Sequence, residues 1–505
     1  MKKLTLLCAM ATSLMGAVNV VAQENELSII DENQIRLNGY ESYKTSDYIA
    51  TYGKTTANVS FGTKGIATNA TLYVDESFST GYLNPNAGGE TMNVVISKDK
   101  TFTVSQRIVG SGGSSATISG EGTYIVKLSD NSSGSTTPLF LRANTVFTSS
   151  AFLNSGSKVT VADGKTLSTE VGALRLKGNA TLNIGEVDSN GNVLSTGNLA
   201  VYTIGAYADN NASWLLAQGT GNKVIINKGS TASMGVFQGI NEMYSSDSDG
   251  GIDVVVNGTM NVGYNSCSSK KAFAFWGNNV TVGKGGVINV TDTNTRADMF
   301  IKRSLDSAGT ITIAAGNNLY MSNDSVLTLR EGSDIRTNGV ASQKDSVIYI
   351  QHGDYTYADS GTRNGISTNG KVANAKVVLE ADQELGALAI KSGAALTIDL
   401  NENSLELGEI AVSGGETFSL ILEDFLNKSL SVKEGKEFNL MDVQAEYKTD
   451  DIDNYLYIYD LEWITENGRS YLYSAMLEAA IPEPAEWAMI FGAIALGFVA
   501  YRRRR

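Results

Sequence analysis

The chain has 505 residues, with 39 Lys and Arg against 53 Asp and Glu for a formal net charge of −14, which excludes a nucleic-acid binder needing clustered basic residues. A hydrophobic fraction of 42% is enough for a core, and 52 glycines against four prolines suit many short strands joined by tight turns.

The first 22 residues read as a secretory signal peptide. Lys2-Lys3 form a positive start, Leu4 to Val18 an apolar run, and Val20-Val21-Ala22 a small-residue site that predicts cleavage between Ala22 and Gln23. Cys8 lies too early for a lipoprotein signal. Export through the secretion translocon would remove it and leave Cys267 as the single thiol, so no intrachain disulfide can form and packing must supply the stability.

Residues 23–65 are polar and tyrosine-rich (Tyr40, Tyr43, Tyr48, Tyr52) and read as an N-terminal cap. From 66 to 415 one pattern returns, a few alternating β-branched or leucine residues followed by Gly or Asn. It appears as Ala70-Thr71-Leu72-Tyr73-Val74, as Lys158-Val159-Thr160-Val161, as Lys223-Val224-Ile225-Ile226, as Asp253-Val254-Val255-Val256 and as Thr310-Ile311-Thr312-Ile313. Period-2 alternation marks half-buried strands, and the Gly or Asn supplies a positive-φ corner. Spacings of roughly 15 to 31 residues fall in the range of solenoid turns. The expectation is an all-β chain, a right-handed parallel β-helix of about eighteen turns and on the order of 80 Å long. Several β-sandwiches are the alternative.

Residues 416–480 break the pattern and predict an antiparallel C-terminal cap. In it, Trp463-Ile464 and Tyr471-Leu472-Tyr473 flank the hairpin turn Asn467-Gly468. The block Tyr455-Leu456-Tyr457-Ile458-Tyr459 is expected to serve the core, and Asp450-Asp451-Ile452-Asp453 to be a solvated loop. Residues 481–505 form a tripartite tail: Pro482-Glu483-Pro484, an uncharged run from Trp487 to Tyr501, and Arg502-Arg503-Arg504-Arg505. As a helix the run reaches about 22 Å, short of a full hydrocarbon core, but Trp487 and Tyr501 sit where interfacial aromatics belong and the arginines can snorkel. The arginines predict a cytoplasmic C-terminus with everything before the helix outside.

This tail resembles the PEP-CTERM family of bacterial sorting signals, and the resemblance covers the last twenty-five residues. It implies delivery to the cell envelope and processing near Pro482, Glu483 and Pro484 by an exosortase-like membrane enzyme, often alongside exopolysaccharide. Such tails also carry the label of an ice-binding-protein C-terminal domain. The repeat region looks like the passenger regions of autotransporter-type surface proteins in fold alone.

Catalytic chemistry is sparse. His352 is the one histidine, and no Gly-x-Ser-x-Gly elbow places a serine for it. One histidine and one exported cysteine cannot build a usual zinc site. Asp247 and Asp249 in a Ser/Gly-rich turn are weak metal candidates, better read as turn caps. Asp188-Ser189-Asn190-Gly191-Asn192 imitates the start of an EF-hand, but Leu199 stands where the loop needs a bidentate glutamate. No cofactor is implied. The sequence therefore points to a non-catalytic surface or matrix protein of structural or adhesive type. A carbohydrate-active enzyme or polysaccharide-binding module using carboxylates on the same scaffold is the alternative. Ice binding is a minor one, since Thr101/Thr103 and Thr310/Thr312 recur without a common sequence period.

Overall fold

The computed structural model describes residues 28–480 apart from 40, 63–68, 86–90, 109–114, 128–137, 149–150, 154, 171–172, 202–213, 240–250, 264–273, 292–297, 323, 351–373, 414–416 and 450–453. The chain is all-β and winds into a parallel β-solenoid of about 13 turns. At about 4.8 Å per rung that makes a rod on the order of 60 Å. The expected eighteen turns were too many because each turn consumes three strands. Excursions consume still more chain, such as the hairpin of Glu186–Val187 with Val193–Ser195.

Each turn contributes one strand to each of three faces. On the first face, Asn69–Val74 pairs with Thr91–Ile96, which pairs with the start of Ser115–Val126. The ladder continues through Lys158–Val161, Thr181–Ile184, Asn222–Ile226 and Ile252–Val256, all parallel. The second face stacks Thr166–Thr169, Asn198–Val201, Thr231–Met234, Thr259–Val262, Val287–Val290 and Thr310–Ile313. The third stacks Leu174–Lys177, Trp214–Gln218 and Val236–Gln238, followed by Phe275–Val282, Met299–Ser307 and Leu319–Met321. Ser115–Val126 and Pro138–Phe147 each turn a corner and serve two faces.

Register builds the core. Inward positions of the first face align as Leu72, Val94, Ile118, Leu141, Val161, Ile184, Ile226, Val256 and Val282 on successive rungs. All are buried. A buried aliphatic side chain stabilises by about 1.5–3 kcal/mol, and each one here packs on the rung before and the rung after it. The corner from first to second face needs positive φ at Gly229 (78°) and Gly285 (78°). It also needs close approach at Gly286, where a Cβ would lie 2.1 Å from the Val256 carbonyl oxygen.

One rung of the second face is completed by a side chain. Beyond Asp334–Arg336, the Ile335 N–H donates to Gln343 Oε1 at 2.9 Å, and Gln343 Nε2 donates to Gln383 Oε1 at 2.9 Å and to the Glu384 carbonyl at 3.2 Å. The amide thus links this strand to Gln383–Lys391, where parallel pairing resumes with Leu405–Ser413.

At the N-terminal end Ile29–Asp31 folds antiparallel on Gln34–Leu37, and the helix Thr45–Tyr52 packs beside the first rungs. Parallel pairing extends into the predicted C-terminal cap, through Ser419–Glu423 to Val443–Lys448 and through Leu405–Ser413 to Leu430–Lys433. Antiparallel pairing begins with Tyr455–Ile458 and includes the hairpin of Glu462–Glu466 with Arg469–Tyr473. Asn467 (φ 53°) and Gly468 (φ 79°) form its turn. Among the described residues no helix is long and apolar enough to cross a membrane. The expected transmembrane run, residues 487–501, lies outside them.

Candidate functional site

The outward side of the second face is the most distinctive surface of the rod. Each strand presents two outward residues, which form two columns running along the axis. The first column reads Thr101, Thr123, Asn144, Thr166, Asn198, Thr231, Thr259, Val287 and Thr310. The second reads Thr103, Ile125, Val146, Ser168, Ala200, Ser233, Asn261, Asn289 and Thr312. No position in either column is charged, although the chain carries 92 charged side chains (39 basic and 53 acidic). The run ends at Asp334 and Arg336, which pair with each other. The hydrogen bonds that Arg336 donates to the Asp334 carboxylate hold its guanidinium above the ordinary range.

Amides stack along this surface. Asn261 Nδ2 donates to Ser233 Oγ at 3.2 Å, and Asn289 Nδ2 donates to Asn261 Oδ1 at 2.9 Å. Beside them opens a cavity of about 500 Å³ lined by Ser233, Asn261, Asn289, Val290, Thr291, Thr312 and Ala314. Each amide nitrogen carries two hydrogens, and the ladder uses one. The cavity wall therefore offers donors and acceptors but no net charge.

The first face differs. Its outward positions include Arg142, Lys158, Lys223, Asp253, Asp306 and Arg330. Toward the C-terminus it becomes a charge column, Lys376 pairing with Asp399 at 2.9 Å and Glu423 at 2.6 Å. Burial opposes the Lys376 ammonium, but its bonds to Glu423 and Asp399 prevail and hold its pKa above the ordinary range. Burial, then Glu423, Asp424 and Asp399, push Glu446 up; burial, then Asp399, push Asp424 up. Across from Glu446 stands Tyr457. Tyr455, Tyr457 and Tyr459 are 43%, 57% and 78% exposed. The expectation that this block serves the core is corrected: on a terminal edge strand, alternation sends Ile458 inward and the tyrosines out.

Of the residues singled out from the sequence, Ala22, Gln23, Asp247, Asp249, Cys267 and His352 lie outside the described residues. So do Asp450, Asp451, Asp453 and the whole tail, including Pro482, Glu483, Pro484, Trp487, Tyr501 and Arg502 to Arg505. The EF-hand imitation at Asp188 is described, and it is a turn. Asp188 Oδ1 accepts from the backbone N–H of Asn190 and of Asn192, both at 2.8 Å, and Oδ2 from Asn192 Nδ2 at 2.9 Å. The bonds from Asn192 and Asn190 hold its carboxyl below the usual range. Among the described residues no group of three His, Cys, Asp or Glu is placed to hold a metal ion.

Fold and surface together define a three-faced parallel β-solenoid with one neutral polar face. No protein-family profile, curated protein or solved structure matches the chain.

Proposed function

We propose that the protein is an exported, non-catalytic component of the cell surface or extracellular matrix, of structural or adhesive type, built as a right-handed solenoid rod. The observation that carries this reading is the stacking of parallel rungs from Gln34–Leu37 to Val443–Lys448, with the Gln343 side chain bridging the level where the second-face ladder is interrupted. Such a rod is stiff and displays long faces, and each rung needs only its neighbours for stability. The helix Ala475–Ala480 follows the antiparallel strands that close the C-terminal end, so the tail begins where the rod stops.

The sequence signals supply the address. The signal peptide would carry the chain through the translocon, and the helix over 487–501 would hold it in the membrane with Arg502 to Arg505 inside. An exosortase-like enzyme would then act near Pro482, Glu483 and Pro484. Replacing these three with alanine should leave export intact and abolish trimming, read by mass spectrometry of the C-terminus in a host that processes such tails. Identical trimming of both proteins would refute the sorting role.

A further inference from the structure

We propose that the second face is a binding track for a neutral, hydroxyl-rich polysaccharide lying along the solenoid axis, with a recessed subsite at Asn261 and Asn289. The proposal rests on the surface-protein reading only for where the polymer is met.

Charge selects the ligand class. From Thr101 to Thr312 the outward columns are neutral on every rung, whereas the first face of the same rungs carries Arg142, Lys158 and Asp253. A face that only had to stay soluble would share in the charge of an acidic chain. A polyanion would need basic partners there and would be repelled by the net charge of −14. A ligand made of hydroxyl groups needs neither charge, and it needs donors and acceptors side by side. The Ser233–Asn261–Asn289 ladder has both, since each amide keeps one N–H and a carbonyl lone pair beyond the bond it makes to its neighbour.

Shape agrees. The cavity of about 500 Å³ at Asn261, Asn289 and Thr312 falls within the size of small-ligand pockets, roughly 300–1,000 Å³. It is partly open to solvent, which suits one segment of a longer polymer. Rungs repeat at about 4.8 Å and outward residues of one strand at about 6.6 Å, so an extended sugar chain meets a polar group at nearly every ring. Ice would require an even hydroxyl lattice, but Ile125, Val146, Ala200 and Val287 interrupt both columns. A second copy of this chain would require a more apolar patch at the centre of the contact.

The test is affinity electrophoresis of the full chain through gels containing hydroxyethylcellulose, galactomannan or dextran, with alginate as the polyanion. At least one neutral polymer should retard the protein, and alginate should not. Asn261→Lys with Asn289→Lys should weaken retardation at least tenfold, and the milder Asn289→Ala should weaken it measurably. Thr160→Lys, on the first face, should leave it unchanged. Circular dichroism and melting of every variant establish that the fold persists. Retardation by no neutral polymer, by alginate alone, or equally in all folded variants would overturn the proposal. Inhibition of ice recrystallisation without retardation would overturn it in favour of ice. Failure of the sorting reading would show instead at the C-terminus, in the mass of the processed chain.

Discussion

The outward second face from Thr101 to Thr312 and the C-terminal stretch of the first face from Lys376 to Glu446 are built on the same lattice and carry opposite surfaces. Both consist of short parallel strands with aliphatic residues turned inward. On the first, the outward positions are hydroxyls, amides and a few small apolar groups. On the second, carboxylates recur as Asp399 and Glu423 on adjacent rungs, held by one lysine. The inward half of each strand satisfies the fold in both places. The outward half is therefore under no structural demand to be neutral or charged, and its chemistry reports what lies outside the rod.

Gln343 stands where the two regions meet, so breaking it has the largest expected effect. It is buried, and its amide both accepts the Ile335 N–H and donates to Gln383 and Glu384. Gln343→Leu keeps the volume but strands those groups, at a cost of about 1–3 kcal/mol. The first-face pairing of Val326–Leu329 with Asn374–Leu379 and the third-face pairing of Val347–Tyr349 with Gln383–Lys391 still span this level. Thermal unfolding followed by circular dichroism should therefore remain a single transition, shifted to lower temperature. An unchanged melting temperature would show that the amide contributes nothing to joining the two halves.

A smaller effect should separate the faces by pH. Burial and neighbouring carboxylates raise the pKa of Glu446 and Asp424 in the folded protein. A carboxyl whose folded pKa is raised binds its proton more tightly folded than unfolded. Its favourable contribution is then fully present below the ordinary carboxylate pKa and is lost as pH rises through the raised value. At neutral pH both groups are thus a mild liability. Glu446→Gln should stabilise by about 0.5 kcal/mol at neutral pH, a modest figure because the group is partly exposed and screened. The advantage should vanish below about pH 4, where wild type is protonated in both states. Equal stability of variant and wild type at neutral pH would mean that Lys376 and Lys448 already neutralise the column.

Much of the fold was legible in the sequence, and the proposed track was not. Lys158-Val159-Thr160-Val161 and Asp253-Val254-Val255-Val256 announce themselves because one face is dry and the other wet. Leu319–Met321 is buried at all three positions, and in Phe275–Val282 the first four are buried, so alternation disappears there. The neutral columns are invisible for a different reason. Thr166 and Asn198 are neighbours in space, yet the Glu186–Ser195 excursion lies between them in sequence. Val287 and Thr310 are equally close with a different number of residues intervening. Irregular spacing in the chain becomes regular spacing on the rod once excursions loop out, so the lack of a common threonine period carries no weight against an ordered face. Tyr455, Tyr457 and Tyr459 were misread because composition cannot reveal that a strand is the last one.

The last expected effect lies beneath the neutral face, and it is neutral at its lower bound. Tyr124 points inward from Ser115–Val126, fully buried and stacked on Phe102 at 6.0 Å. Its hydroxyl has no hydrogen-bond partner, and burial pushes its ionisation far above the ordinary phenol range. An unsatisfied buried hydroxyl costs free energy in the folded state only, so removing it costs nothing in lost bonds and leaves the ring packing in place. Tyr124→Phe should be neutral or stabilising by up to about 1 kcal/mol in denaturant unfolding. It should also leave polysaccharide retardation unchanged, because inward and outward halves of the strand are independent if the comparison of the two faces is sound. A destabilised variant would show that the hydroxyl does structural work. Altered retardation in a stable variant would show that the interior under the track shapes its surface, which the lattice argument forbids.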